Sequence, residues 1–188
     1  EHESCVVTQR EVGIDTDSYE IGLRNALRQA PDMVLIGEIR TRDTMGYALA
    51  FAETGHLCLA TLHANNANQA FDRITSFFPH EMHQQLWMGL SLNLKLIVAQ
   101  QLVPTVDEDG RIPAVEILIN TPAIADVIRK NALDELRDLM TRSSSQGMQT
   151  YNQALFNLYV QGKITQETAL KYAESENEVR LMIKLNKG

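Results

Sequence analysis

Met33-Val34-Leu35-Ile36-Gly37-Glu38 is the stretch on which the fold turns. Its four apolar residues are too few for a helix and lie between Pro31-Asp32 and Gly37, so they predict a strand buried on both faces, as in a parallel sheet. Upstream, Tyr19, Leu23, Ala26, Leu27 and Ala30 recur at helical spacing, behind the capping oxygens of Asp15-Thr16-Asp17-Ser18 and ahead of Pro31, which stops the helix. Cys5 to Val12 is β-branched and reads as a further strand. Downstream, Asp43 caps a helix through Ala52 that Gly55 ends, and His56 to Leu62 is a second short apolar strand. Asn65 or Asn66 caps the next helix, which carries Phe71, Ile74 and Phe78 on one face and Pro79 behind it. Strand, helix, strand, helix with short links predicts an α/β fold, a mostly parallel sheet with flanking helices.

The remainder changes style. A helix is expected from about Glu81 to Leu92, and then Leu94 to Val103 and Ile112 to Ile119 flank Asp107-Glu108-Asp109-Gly110 as a hairpin with a loose turn. From Thr121 onward the pattern is helical, with stripes at Ile124, Val127 and Ile128, at Leu133, Leu136, Leu139 and Met140, and at Leu155, Leu158 and Tyr159. Ser143 to Gly147 punctuates these helices rather than separating domains. The division expected is therefore residues 1–120 and a helical subdomain at 121–188.

With 188 residues, 44% of them hydrophobic, the chain is globular and can bury a sizeable core, which excludes disordered and fibrous classes. Its net charge of -7 argues against binding nucleic acid through its whole surface. Cys5 and Cys58, with no spacing pattern, read as reduced thiols of a cytosolic protein. Its most apolar runs, Met33 to Ile36 and Leu94 to Ala99, fall far short of the roughly 20 residues that a bilayer core needs. The opening Glu1-His2-Glu3-Ser4 has no initiator Met and no signal-peptide character, so the chain reads as a fragment or processed piece.

Glu38 is the sharpest chemical signal. A parallel strand delivers its C-terminal carboxylate to the crevice where α/β sheets bind ligands, and an acid there can hold a Mg²⁺ water shell beside a nucleoside triphosphate. The strand His56 to Leu62 is bracketed by His56 and His63, and imidazole at a strand end can donate to a phosphate. The blander reading makes His56 a helix-end cap and His63 a satisfied loop residue. A zinc site with Cys58 has three ligands in sight at most, and His80-Glu81-Met82-His83 lacks the i, i+4 spacing of a metalloprotease helix. Gly162-Lys163-Ile164-Thr165 lacks the earlier glycine and the adjacent hydroxyl of a phosphate loop, and Asp107 to Gly110 lacks the later glutamate of a calcium loop. The 188 residues contain no nucleophile elbow, CxxC pair or glycine-rich loop.

Several motifs in one order add up to a resemblance. Thr8-Gln9-Arg10-Glu11-Val12-Gly13, Ala26 to Asp32, Leu35 to Arg40, Ala52 to Leu57 and Thr61-Leu62-His63 resemble the secretion ATPase family of type IV pilus and type II secretion motors. Phe78-Pro79, Glu116-Ile117-Leu118 and Thr121 to Ile124 extend the likeness over nearly the whole chain, which resembles the pilus retraction branch of that family. The resemblance implies a RecA-like P-loop NTPase core, partial over residues 1–120, working as a cytoplasmic homohexamer at the inner membrane. It implies ATP and Mg²⁺ as cofactors, coupling of ATP hydrolysis to pilus retraction and twitching motility, a PilT-like ATPase and an inner-membrane pilus platform protein as partners, and no nucleic acid. It assigns Glu38 to Mg²⁺ and the attacking water, His56 and His63 to a box that senses the γ-phosphate, and Gly37 and Thr61 to the nucleotide.

Three departures accompany the likeness. The family's phosphate-binding loop and acidic box precede the equivalent of Glu1, so this chain alone is expected to be inactive. The family's usual Asp after Arg40 is Thr41, with Asp43 two residues later. The retraction motif that begins Ala-Ile-Arg reads Ala123-Ile124-Ala125, which points to an accessory retraction role. The competing class is a noncatalytic docking or scaffold module that kept the fold; retention of Glu38, His56 and His63 favours the motor.

Overall fold

A computed structural model describes residues 4–107 and 109–186. Glu1 to Glu3, Glu108, Lys187 and Gly188 therefore lie outside the described residues. The chain divides into two compact units, Glu1–Leu62 and His63–Gly188.

The first unit runs α1 (Tyr19–Leu27), β1 (Met33–Ile36), α2 (Arg42–Glu53), β2 (Leu57–Ala60). Ser18 caps α1 by accepting from Ile21 N–H, and the helix closes at Arg28, short of Pro31. Thr41, rather than Asp43, caps α2 by accepting from Thr44 N–H. Asp43 sits in the first turn, where a negative charge meets the positive end of the helix dipole. Gly55 takes φ +87 just past the end of α2, a left-handed conformation that a side chain would strain.

β1 and β2 pair in parallel, Met33 with Leu57 through Ile36 with Ala60. The expectation of burial on both faces fails: Met33 is 54% exposed and Leu35 69%, whereas Ile36 is 2%. Successive strand residues face opposite ways, and only one face is covered in the described unit, where Phe51, Met45 and Ala48 of α2 are buried. Cys5 to Val12 is not a strand either. Val12 makes a single bridge to Thr16, and the backbone turns back at once, with Asp15 N–H donating to the Glu11 carbonyl at 2.8 Å. Val6, 94% exposed, has no partner strand among the described residues.

The second unit continues with α3 (Ala67–Ser76), α4 (His83–Asn93), β3 (Leu96–Pro104), β4 (Arg111–Ile119), α5 (Pro122–Lys130), α6 (Leu136–Arg142), α7 (Tyr151–Val160), α8 (Gln166–Lys171) and α9 (Glu176–Asn186). Asn66 is the N-cap of α3, accepting from Gln69 N–H, and Thr121 caps α5 with Pro122 at its first turn. The hairpin is present: β3 and β4 pair antiparallel from Leu96–Ile119 to Pro104–Arg111. Strand pairing among the described residues is thus one parallel pair and one antiparallel hairpin.

The hairpin and the C-terminal helices share one core. Val103 and Ala114 pack with Tyr151, Ala154, Leu155, Ile164, Ala169, Val179 and Ile183. The division expected at 120/121 therefore does not separate compact units, and residues 121–188 are not an appendage to the hairpin. The reason is geometric. An antiparallel ribbon alone leaves its inward face wet, and α7, carrying Tyr151, Ala154 and Leu155 on one face, supplies the cover.

Candidate functional site

Because β1 and β2 are parallel, the chain leaves both at the same edge, and two hydrogen bonds fasten the departing segments to each other. Ile39 N–H donates to the Thr61 carbonyl at 2.9 Å, and the Thr61 hydroxyl donates to the Gly37 carbonyl. Glu38 lies between these anchored neighbours, with its side chain 21% exposed. Its Oε2 accepts from Arg40 Nε at 2.6 Å and from Nη2 at 2.5 Å. That hydrogen bond first, and the carboxylate charge second, hold the Arg40 guanidinium above its usual range. An ionised carboxylate accepts only, so both protons of this fork converge on one oxygen. Gly37, Glu38 and Thr61 are thereby brought to one sheet edge, the place where α/β sheets present ligand-binding groups.

His56 is at the other end of β2. Five residues of extended chain separate it from Thr61, roughly 16 Å at 3.3 Å per residue. Its Nδ1 is 3.0 Å from Thr54 Oγ1 and 3.3 Å from the Phe51 carbonyl, and its ring stands edge-on to Phe51 at 5.7 Å. The Thr54 proton is committed to the Ala50 carbonyl at 2.8 Å, so Nδ1–H is the donor to Thr54 and Nε2 is the acceptor in the neutral ring. This is the helix-end geometry of the blander sequence reading, and it does not place His56 beside Glu38.

His63 opens the second unit as an exposed residue three positions before the Asn66 cap. Cys58 is half-buried and free, and burial pushes its thiol up, away from the reactive thiolate. Among the described residues no group of three or more His, Cys, Asp or Glu is arranged to hold a metal ion. No described helix is long and apolar enough to cross a membrane.

Two residues escaped the sequence reading. Arg40 is one, since nothing in an i, i+2 spacing after a strand announces an ion pair. Glu116 is the other, a carboxylate 6% exposed on β4. Its signal was available: Ala114, Glu116 and Leu118 alternate on the inward face, where a charge demands partners. Burial raises the Glu116 pKa above its usual value, while the backbone N–H groups of Ala67 and Tyr151 pull it back. It borders a cleft of about 340 Å³ with Asn66, Arg137 and Glu174.

Against known proteins, residues 3–184 match the family described as "Type II/IV secretion system protein". The type IV pilus ATPase PilU of Pseudomonas aeruginosa is 65% identical over 185 residues, covering 98% of this chain and 48% of that protein. The retraction ATPase PilT of the same organism is 39% identical over 175 residues, covering 92% of this chain and 51% of PilT. A crystal structure of the pilus retraction motor PilT with bound ADP superposes at a TM-score of 0.86 and 41% identity, over 96% of this chain and 50% of that one. The chain thus spans about half the length of the relatives it matches. A family match over this extent, with the α/β fold shared by the PilT structure, means that the chain belongs to the type II/IV secretion system protein family.

Proposed function

We propose that the whole protein is a RecA-like motor ATPase that couples ATP hydrolysis to type IV pilus retraction, as a cytoplasmic homohexamer at the inner membrane. The observation that carries this reading is the clasp of Gly37 and Ile39 by Thr61, which presents Glu38 at the C-terminal edge of a parallel strand pair. A single carboxylate so placed fits Mg²⁺, an ion that keeps most of its water shell and takes one or two carboxylates besides phosphate oxygens. Glu38 would hold it through water, and the ion would neutralise charge on the phosphates. Glu38 would also orient the attacking water, Gly37 and Thr61 would border the nucleotide, and His63 would read the γ-phosphate, whereas His56, which closes the end of α2 beside Thr54 and Phe51, would take no part at that edge. Ala125, half-buried on α5 one residue before the Asp126–Arg129 and Asp126–Lys130 pairs, stands where the retraction motif carries an arginine. That change supports an accessory role beside a PilT-like ATPase on an inner-membrane platform protein.

The test is turnover in the intact protein. His63→Ala is expected to lower kcat for ATP hydrolysis while leaving ADP affinity within about twofold, because a group that meets the γ-phosphate stabilises the reacting state more than the ground state. Equal loss of ATP and ADP binding would make His63 structural instead.

The 188-residue chain by itself is expected to show no Glu38-dependent ATPase activity. Phosphoryl transfer rests on positioning and charge stabilisation by a phosphate loop, and these residues contain none. A phosphate-release assay on the purified chain, with Glu38→Ala as its control, decides it.

A further inference from the structure

Glu116 binds two helices at once. Its Oε1 accepts from Ala67 N–H at 2.7 Å and its Oε2 from Tyr151 N–H at 3.1 Å. Ala67 and Tyr151 are the first residues of α3 and α7, so one buried carboxylate meets the positive ends of two helix dipoles. A charge buried this far is costly unless paired, and here the two N–H groups pair it while the carboxylate satisfies both of them. What the carboxylate adds is a fixed direction for two N–H groups that lie far apart in the chain.

The helix start that it fixes carries His63. From Asn65 to Ala67 the segment is anchored at each residue: Asn65 N–H donates to Gln69 Oε1 at 3.1 Å, and the Asn65 carbonyl accepts from Gln101 Nε2 at 3.3 Å. Asn66 Oδ1 accepts from Gln69 N–H at 2.8 Å, and Asn66 Nδ2 donates to Glu174. Glu174 is itself placed by α7, its N–H donating to Asn152 Oδ1 at 3.0 Å, and Asn152 Nδ2 donates to Glu178, which also accepts from Arg137 at 2.7 Å. The segment after His63 is thus moored to β3, β4 and the C-terminal helices.

We propose that Glu116 is a positioning residue for ATP hydrolysis, which holds the His63 segment in register by tying the start of α3 to the start of α7. This rests on the reading of His63 as the γ-phosphate sensor. Glu116→Gln keeps the volume but can accept through one oxygen only, turning its amide nitrogen toward the other N–H. A displaced catalytic segment should show in turnover and not in ground-state binding. In the intact protein Glu116→Gln is expected to lower kcat roughly 10- to 100-fold with KM changed less than about threefold. Combined with His63→Ala, it should add less than about twofold to the loss caused by His63→Ala alone, because both act through one group.

Gln101→Ala removes a single exposed anchor of the same segment and serves where Glu116→Gln fails to fold by thermal melting. It is expected to lower kcat roughly threefold, again without adding to His63→Ala. Effects that multiply with His63→Ala, or unchanged kcat in a folded variant, would overturn the positioning role and leave Glu116 a purely structural cap. If His63→Ala itself leaves turnover intact, the sensor reading fails, and the inference fails with it by a visibly different route.

Discussion

Glu38→Gln in the intact protein is expected to suppress ATP turnover by roughly 10²- to 10⁴-fold, the range for loss of a group that handles the reacting proton or water. The fold should survive. Glu38 follows Gly37 just beyond the end of β1 and belongs to no buried apolar cluster, while the buried side chains around it are Ile36 and Ile39. Glutamine has the same shape and can still accept from Arg40, whose side chain is 74% exposed and has water as an alternative partner. Nucleotide binding should fall much less than kcat if, as proposed, the charge acts on the reacting water and the metal rather than on the base or sugar. The checks are steady-state hydrolysis, nucleotide titration and a melt of the same preparation. A variant that melts far below the parent, with activity lost in proportion to folded protein, would reassign Glu38 to the scaffold.

The second large effect is one of stability. Deleting Ser143 to Gly188 is expected to abolish cooperative folding of the unit that begins at His63. The sequence pattern suggests a helical subdomain separate from residues 1–120, but the packing says otherwise. Val103 and Ala114 are both 0% exposed and would be bared, because the helices covering them start at Tyr151. The same cut leaves Glu116 without the Tyr151 N–H, a buried carboxylate with one partner gone. A milder form of the test is Leu155→Ala at a fully buried position, expected to cost about 2–5 kcal/mol. Denaturant melts of the parent, Leu155→Ala and the deletion would order them as stated. A soluble, cooperatively melting deletion variant with normal ATPase activity would restore the reading of 121–188 as a separate subdomain.

Local order was legible where a short-range rule suffices. Ser18 and Asn66 announce helix starts because a side-chain oxygen two or three residues ahead of a free N–H satisfies it without outside help. Met33 to Ile36 announces a strand because four apolar residues between breakers have no other regular form. Thr41 displaced Asp43 as the cap of α2 since both residues satisfy the rule and only the entry angle of the chain chooses. Cys5 to Val12 misled for a complementary reason. β-Branched residues favour an extended chain, but a strand also needs a neighbour, and no described strand lies alongside it.

The α/β pattern, the hairpin from Leu96 to Ile119, the helical character beyond Thr121 and the motif order that marks the family were all readable from the residues, because each depends on periodicity or on groups close along the chain. Packing, by contrast, set Gly37, Glu38 and Thr61 on one edge and left His56 at the far end of the same strand. It joined the hairpin to α7, α8 and α9 in one core and brought Ala67 and Tyr151 to the two oxygens of Glu116. These are contacts between residues distant in sequence. Their partners are chosen by which buried faces and unsatisfied N–H groups meet when the elements pack, and no local pattern encodes that choice.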